Sequence, residues 1–260
     1  MKIVVLVKQV PDTESTIKIA EDVVSINEQG IKWVMNPYDE FAVEEAVLIK
    51  EAGQAKVTIL TLGPQRAVDA IRTGLGMGAD DGIHIHCDED VDALATARIL
   101  STALKDMEFD LIIAGQRAVD SDNYQVGAAV AEYLKIPHVS LVIDQKISGG
   151  KITCRRTVDG GTESVQMPLP ALFTTQRGLN EPRYATLPSI MKAKKKPLAS
   201  KTLGDLGIDP AAVGGDGCKV KVKAIKLAPQ RGAIRMIEGE TPQEMAQALV
   251  KVLCQELQVI

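Results

Sequence analysis

Between residues 115 and 127 the chain reads Gly-Gln-Arg-Ala-Val-Asp-Ser-Asp-Asn-Tyr-Gln-Val-Gly, a glycine-opened loop that carries Asp120, Ser121, Asp122 and Asn123 into a helical pattern. Free backbone amides and the positive end of a helix favour a phosphate by about 0.3–1 kcal/mol where exposed. Two aspartates beside a phosphate suit ribose hydroxyls better than the phosphate itself. The alternative is plain capping of the following helix by Asp or Asn side chains. A second concentration of chemistry lies at 175–197, where Leu187, Ile190 and Met191 form an apolar tip beside Lys192, Lys194, Lys195 and Lys196. Pro182, Pro188 and Pro197 stiffen this stretch, which reads as a loop to be grasped by another protein, its charge steering an acidic partner. The competing reading is a solvated linker with a lysine run.

No nucleophile held by a base and an orienting group is evident, so the chain shows no catalytic constellation of its own. Gly74-Leu75-Gly76-Met77-Gly78 follows a helical pattern instead of opening one, as a C-cap turn does and a phosphate cradle does not. There is no Gly-x-x-x-x-Gly-Lys-Ser/Thr loop and no Ser-Gly-Gly motif. His84 and His86 alternate with Ile83 and Ile85, and His138 follows Pro137. Without Cys or carboxylate at ligand spacing these read as structural histidines. Cys87, Cys154, Cys218 and Cys254 stand far apart, the pattern of buried free thiols.

The elements that must position these groups alternate. Residues 2–8, 56–62, 82–87 and 109–114 are short apolar, β-branched runs that read as buried parallel strands. Helical patterns at 38–52 (with Gly53 as C-cap), 65–75, 91–106 and 123–135 separate them and lead to 139–143. The expected fold is α/β, an open and mostly parallel sheet with right-handed crossovers and helices on both faces. Beyond it come a hairpin at 147–167 turning at Asp159-Gly160-Gly161, a strand at 171–175, an extended connection at 197–218, and a terminal helix opened by a Thr241-Pro242-Gln243-Glu244 capping box. Met245, Leu249, Val252 and Leu253 give that helix an apolar stripe to pack on this sheet or on a neighbour. The expected division is 1–196 for the nucleotide-binding unit and 197–260 for a C-terminal extension. In such sheets ligands lie beyond the strand carboxyl ends where the winding reverses, which selects the loops at 8–12, 62–64 and 115–127.

The chain has 260 residues, 45% hydrophobic and 25% charged, with a formal charge of −4. That charge argues against a general nucleic-acid binder, and one tryptophan, four tyrosines and three phenylalanines leave few platforms for stacking bases. No run approaches the roughly 20 apolar residues of a membrane span, and the N-terminal Met-Lys-Ile-Val-Val-Leu-Val-Lys is charged too soon for a secretory signal, so a cytoplasmic protein, not embedded in a membrane, is expected.

Several blocks closely resemble the β subunits of electron transfer flavoproteins: Val-Lys-Gln-Val-Pro-Asp at 7–12, Met-Asn-Pro-Tyr-Asp-Glu-Phe-Ala-Val-Glu-Glu-Ala at 35–46, Gly-Met-Gly-Ala-Asp at 76–80, Asp-Gly-Gly-x-Glu at 159–163 and the block at 179–196. The resemblance implies an adenine-nucleotide-binding fold paired with an α subunit that carries most of the redox FAD, with AMP held here by Leu6, Asn36, Pro37, Tyr38, Asp39, Leu62, Gly115, Val119, Asp120, Ser121, Asp122, Asn123, Tyr124, Gln125 and Val126. It implies that Tyr38 lies near the flavin. It further implies that Leu187, with Pro188, Ile190, Met191, Lys194, Lys195 and Lys196, forms a recognition loop for acyl-CoA dehydrogenases, in a carrier of fatty-acid β-oxidation that passes electrons to a quinone oxidoreductase. An alternative within the same resemblance is an electron-bifurcating type with FAD in the AMP position and NADH as donor. A third possibility is a stand-alone nucleotide sensor. Cys154 and Phe173 stand where the family's hairpin signature usually has small aliphatic residues, and Tyr124 stands where many relatives have a small residue, placed to crowd or stack on a nucleotide.

Overall fold

In the first strand, Ile3 and Val5 face one side of the sheet while Val4 and Leu6 face the other, and all four are buried. A strand that is apolar on both faces needs helices on both, which fixes a three-layer arrangement. The computed structural model describes every residue except Gln54, Gln230, Arg231 and Ile260. In chain order the elements are β1 (Lys2–Leu6), β2 (Gln9–Pro11), β3 (Trp33–Met35), α1 (Pro37–Ala52), β4 (Lys56–Gly63), α2 (Val68–Met77), β5 (Asp81–His86), α3 (Ala93–Lys105) and β6 (Leu111–Gly115). They continue with α4 (Val126–Leu134), β7 (His138–Ser148), β8 (Lys151–Val158), β9 (Gly161–Pro168), β10 (Ala171–Thr175), α5 (Leu187–Ala193), β11 (Leu198–Thr202) and α6 (Pro242–Lys251).

The larger sheet has the order β11-β5-β4-β1-β6-β10-β7-β8-β9. It is parallel from β11 to β7 and antiparallel through the β8 and β9 meander. Helices α1 and α2 bury Val43, Val47, Ile71 and Leu75 with Ile3, Val5 and Ile59 on one face. On the other, Ile99, Leu104 and Val130 of α3 and α4 meet Val4, Leu60 and Ile112. The chain winds outward from β1 through β4 and β5, then returns to place β6 on the other side of β1. The reversal therefore falls between β1 and β6, where the alternation of strands and helices locates it.

Several expectations are corrected. The stretch 197–218 is not an extended connection: Leu198–Thr202 pairs in parallel with Gly82–His86 as the sheet's edge strand, followed by short 3-10 turns. The strand is held by backbone pairing and its side chains are exposed or half-buried, so little apolar patterning marks it. At the Asp159-Gly160-Gly161 turn only Gly160 needs a positive φ, +80°; Gly161 already belongs to β9. The described chain divides into two compact units, of which the first is Met1–Lys223.

The second unit, Ala224–Ile260, contains α6. Thr241 caps it by accepting the Glu244 N–H at 3.3 Å, while the Glu244 carboxylate reaches one residue further back, to the Glu240 N–H at 2.9 Å. Met245, Leu249 and Val250 on this helix are exposed.

Candidate nucleotide cleft and docking finger

The carboxyl ends of β1 and β6 are tied together by the start of α1. Asn36, wholly buried, donates its N–H to the Lys8 carbonyl at 2.9 Å and its side-chain amide to the Arg117 carbonyl at 2.8 Å, and its side-chain oxygen accepts the Val119 N–H at 3.1 Å. Pro37 follows at the first helical position, where its missing N–H costs nothing. Asp39 lies between the two strand ends: one carboxylate oxygen accepts the Lys8 N–H at 2.7 Å, the other the Gly115 N–H at 3.1 Å. Burial pushes the Asp39 carboxyl up to about 7, against the pull of these hydrogen bonds and of Lys8. This approach requires glycine at 115, because a Cβ there would stand 2.2 Å from the Asp39 oxygen and 2.8 Å from the Tyr38 carbonyl carbon.

The loop after β6 is held by ion pairs. The Lys8 ammonium lies 2.7 Å from Asp120, and Arg117 pairs with Asp122. The Arg117 guanidinium stands 5.0 Å from the Tyr38 ring centre and 5.3 Å from that of Tyr124, and donates to the Tyr38 hydroxyl at 3.0 Å. Such cation–π contacts help offset the left-handed backbone of Asp122 and Tyr124, φ +51° and +56°. The capping alternative fails: α4 begins after Gln125 with no side-chain cap, Asp120 and Asp122 are engaged elsewhere, and the Asn123 oxygen accepts only the Gln125 N–H, at 3.3 Å. The first amides of α4 therefore lack side-chain acceptors. Near the same strand end, Gln116 Oε1 and Arg117 Nε are buried without a protein partner. Leu6 is buried at the end of β1 and Leu62 half-buried near the end of β4, while Ser121 and Tyr124 are exposed.

Residues 175–197 are an ordered arm. Thr186 caps a short helix, α5, accepting the Ser189 N–H at 3.4 Å. Leu187 is 80% exposed, Met191 70% and Ile190 42%. The four lysines separate. Lys192, Lys194 and Lys195 are exposed, whereas the Lys196 ammonium caps the end of α2, donating to the Leu75 carbonyl at 2.9 Å and to that of Ala79. Lys196 therefore leaves the expected cationic patch: its charge is spent on carbonyls that a helix end leaves without partners.

A model of the electron transfer flavoprotein domain matches residues 23–206. This chain belongs to the electron transfer flavoprotein family. The curated protein "Electron transfer flavoprotein subunit beta" of Bacillus subtilis (strain 168) is 39% identical, over the full length of both chains. The protein of the same name from Syntrophomonas wolfei is 42% identical over 92% of this chain and 91% of its own, and the human one 37% over 97% and 98%. The β-subunit resemblance read from the sequence blocks is thus established, and with it a role in electron transfer.

The family blocks acquire physical meaning in the fold. Asn36 and Asp39 tie the strand ends to the loop after β6, while Glu44 and Glu45, one turn on, hold Arg183 and Asn180 of the arm. In Gly-Met-Gly-Ala-Asp, Gly76 admits the arm, since a Cβ there would lie 3.2 Å from that of Ala185, and Gly78 closes α2 at φ +140°. The Gly74–Gly78 cluster is indeed a helix ending, with a second task as a seat for α5. Lys8 and Arg117 form the ion pairs that hold the loop after β6; both lie in loops that the winding rule selected, but neither was named among the expected contacts. His84 is buried, with its Nε2 2.9 Å from the Gly63 carbonyl. Cys87 and Cys154 are buried free thiols, but Cys218 is half-buried and Cys254 exposed. Among the described residues no group of three or more His, Cys, Asp or Glu is arranged to hold a metal ion, and no helix is long and apolar enough to cross a membrane.

Proposed function

We propose that this chain is the β half of a cytoplasmic, heterodimeric electron carrier, holding AMP in the cleft between β1 and β6 while an α subunit carries the redox FAD. The observation that carries this reading is the set of unpartnered polar groups at the strand reversal: the uncapped start of α4 with Gln116 Oε1 and Arg117 Nε. Buried groups of this kind cost about 1–3 kcal/mol each when left unpaired, and a mononucleotide supplies a phosphate for amides, acceptors for a guanidinium and hydroxyl or amino donors for the Gln116 oxygen. The residues present fit such a group. Leu6, Leu62 and the Asn36–Asp39 turn wall the site, and Val119–Val126 closes it. Asp39 and Asn36 act on the ligand through the backbone they fix.

FAD on the α subunit would supply the one- and two-electron chemistry; this chain binds, orients and shields. Tyr38, packed against Arg117, offers a fixed aromatic edge near that flavin. The arm meets acyl-CoA dehydrogenases through Leu187, Pro188, Ile190 and Met191, with Lys194 and Lys195 steering the encounter, and electrons leave toward a quinone oxidoreductase. The exposed stripe of Met245 and Leu249 in the second unit is covered by the α subunit.

The test is to co-purify the chain with its α partner, denature the complex and weigh the released nucleotides. One FAD and one AMP per heterodimer are expected. Two FAD would replace this reading with the bifurcating type, and a stable, nucleotide-free monomer would end both.

A further inference from the structure

Tyr184 is 97% exposed, more than Leu187 or Met191, yet the residue before it is among the most heavily bonded in the chain. Arg183 Nε and Nη2 donate to the buried Glu44 carboxylate at 2.9 Å, and Nη1 and Nη2 donate to Glu51 at 2.6 and 2.9 Å. The Arg183 backbone N–H adds a bond to Glu44 at 3.1 Å. Both carboxylates belong to α1, so one guanidinium spans two turns of that helix. Three residues upstream, the Asn180 amide donates to Glu45 at 2.8 Å and to the Phe41 carbonyl at 3.0 Å. At the far end of the arm, Arg72 of α2 donates to the Ala193 carbonyl at 2.7 Å and that of Lys196 at 3.2 Å.

The segment is therefore fixed at both ends while its tip is bare. A solvated linker has no use for a fork–fork Arg bond to a buried glutamate, which is geometrically specific and hard to replace by lysine. An exposed tyrosine on a rigid backbone presents a large contact area with little rotamer freedom to lose on binding. Resting on the docking role proposed above, we propose that the Arg183 clamp on Glu44 and Glu51 pre-organises residues 184–191, and that Tyr184 joins Leu187 and Met191 in one contact surface for an apolar pocket rimmed by carboxylates. The occupant is a protein partner, because the patch pairs exposed apolar side chains with Lys192, Lys194 and Lys195 and lies on a short helix too small to enter a lipid surface. Arg183 is a positioning residue and Tyr184 a contact residue.

The heterodimer co-purified with its α subunit is tested with a reduced acyl-CoA dehydrogenase as donor. Arg183→Lys should raise the KM for the donor about tenfold, the factor that ordering one or two side chains on binding costs. The limiting rate and nucleotide content should stay unchanged, and amide exchange over 184–191 should quicken. Tyr184→Ala should raise the KM without altering exchange, and Glu51→Ala, which spares the buried Glu44 pair, should shift both readouts in the Arg183→Lys direction but less. Faster exchange with an unchanged KM in Arg183→Lys overturns the proposal, as does unchanged exchange. Should Arg183→Lys fail to fold, flat readouts in Glu51→Ala overturn it instead. Leu187→Ala separates the levels: if it leaves the KM unaltered the docking role itself fails, and if it raises the KM while Arg183→Lys does not, only the clamp fails.

Discussion

Replacing Asp39 with Asn should flatten a pH dependence of stability that the wild-type chain owes to this one group. The carboxyl is buried at the strand reversal and titrates near 7 in the fold, against 3.8 in a free chain. Between those values the folded state holds a proton that the unfolded state has released, so stability falls as pH rises. The loss from this group is about 2 kcal/mol between pH 5 and 7 and approaches about 4 kcal/mol above pH 8. Below about pH 3 both states are protonated and the effect vanishes. Asn cannot ionise, but its amide would face either the Lys8 or the Gly115 N–H, leaving one donor unpaired at a cost of about 1–3 kcal/mol. The variant should therefore be less stable than wild type near pH 4 and equal or more stable near pH 8. Denaturant titrations of both proteins at several pH values, taken as a difference so that shared carboxylates cancel, measure this. Parallel stability curves would refute the assignment of a neutral, buried acid at this position.

Three further outcomes are expected. Gly115→Ala, whose Cβ would enter to 2.2 Å from the Asp39 oxygen, should cost about 3 kcal/mol or more and empty the cleft, read by the denaturation midpoint and by nucleotide released per chain. Leu187→Ala should weaken the encounter with the donor dehydrogenase by about 2 kcal/mol, the scale of an interface anchor, with flavin content unchanged; an unaltered transfer rate would remove the anchor role. Neutralising Lys194 and Lys195 to Gln should slow association at low salt and converge with wild type at about 1 M salt, where the Debye length is about 3 Å; a deficit independent of salt would contradict steering.

The parallel half of the sheet was legible because buried parallel strands are apolar on both faces and each is followed by a periodic helix. For the strands β1, β4, β5 and β6 and the helices α1 to α4 only element ends moved, as at 123–135, where the helix begins at Val126. The reversal between β1 and β6 followed from winding alone, and the loop after β6 was visible from its glycine and acids. What stayed hidden depends on backbone and distant partners. Strand β11 has mostly exposed side chains and is held by backbone bonds to β5. Strands β2 and β3 are three residues each, too short to show a periodicity. The role of Lys196 was unreadable because adjacent lysines have the same sequence signature whether they face water or the end of a helix. Asp39 was expected beside a nucleotide from the resemblance alone; its task as a tie between strands was hidden, since its partners are amides that any sequence would supply.

Helix α1 carries Asp39 on its first turn and Glu44, Glu45 and Glu51 further along, with Ala42, Val43, Ala46 and Val47 against the sheet. Each residue added to such a helix turns everything beyond it by about 100° and lifts it about 1.5 Å. A single insertion or deletion between Asp39 and Glu44 would thus swing either the strand tie or the arginine fork out of reach, whichever end the apolar face failed to keep in register. Substitutions can be absorbed along this helix, but its length cannot change, so the strand tie and the anchored arm are bound to be inherited together, at a fixed separation, by any descendant of this chain.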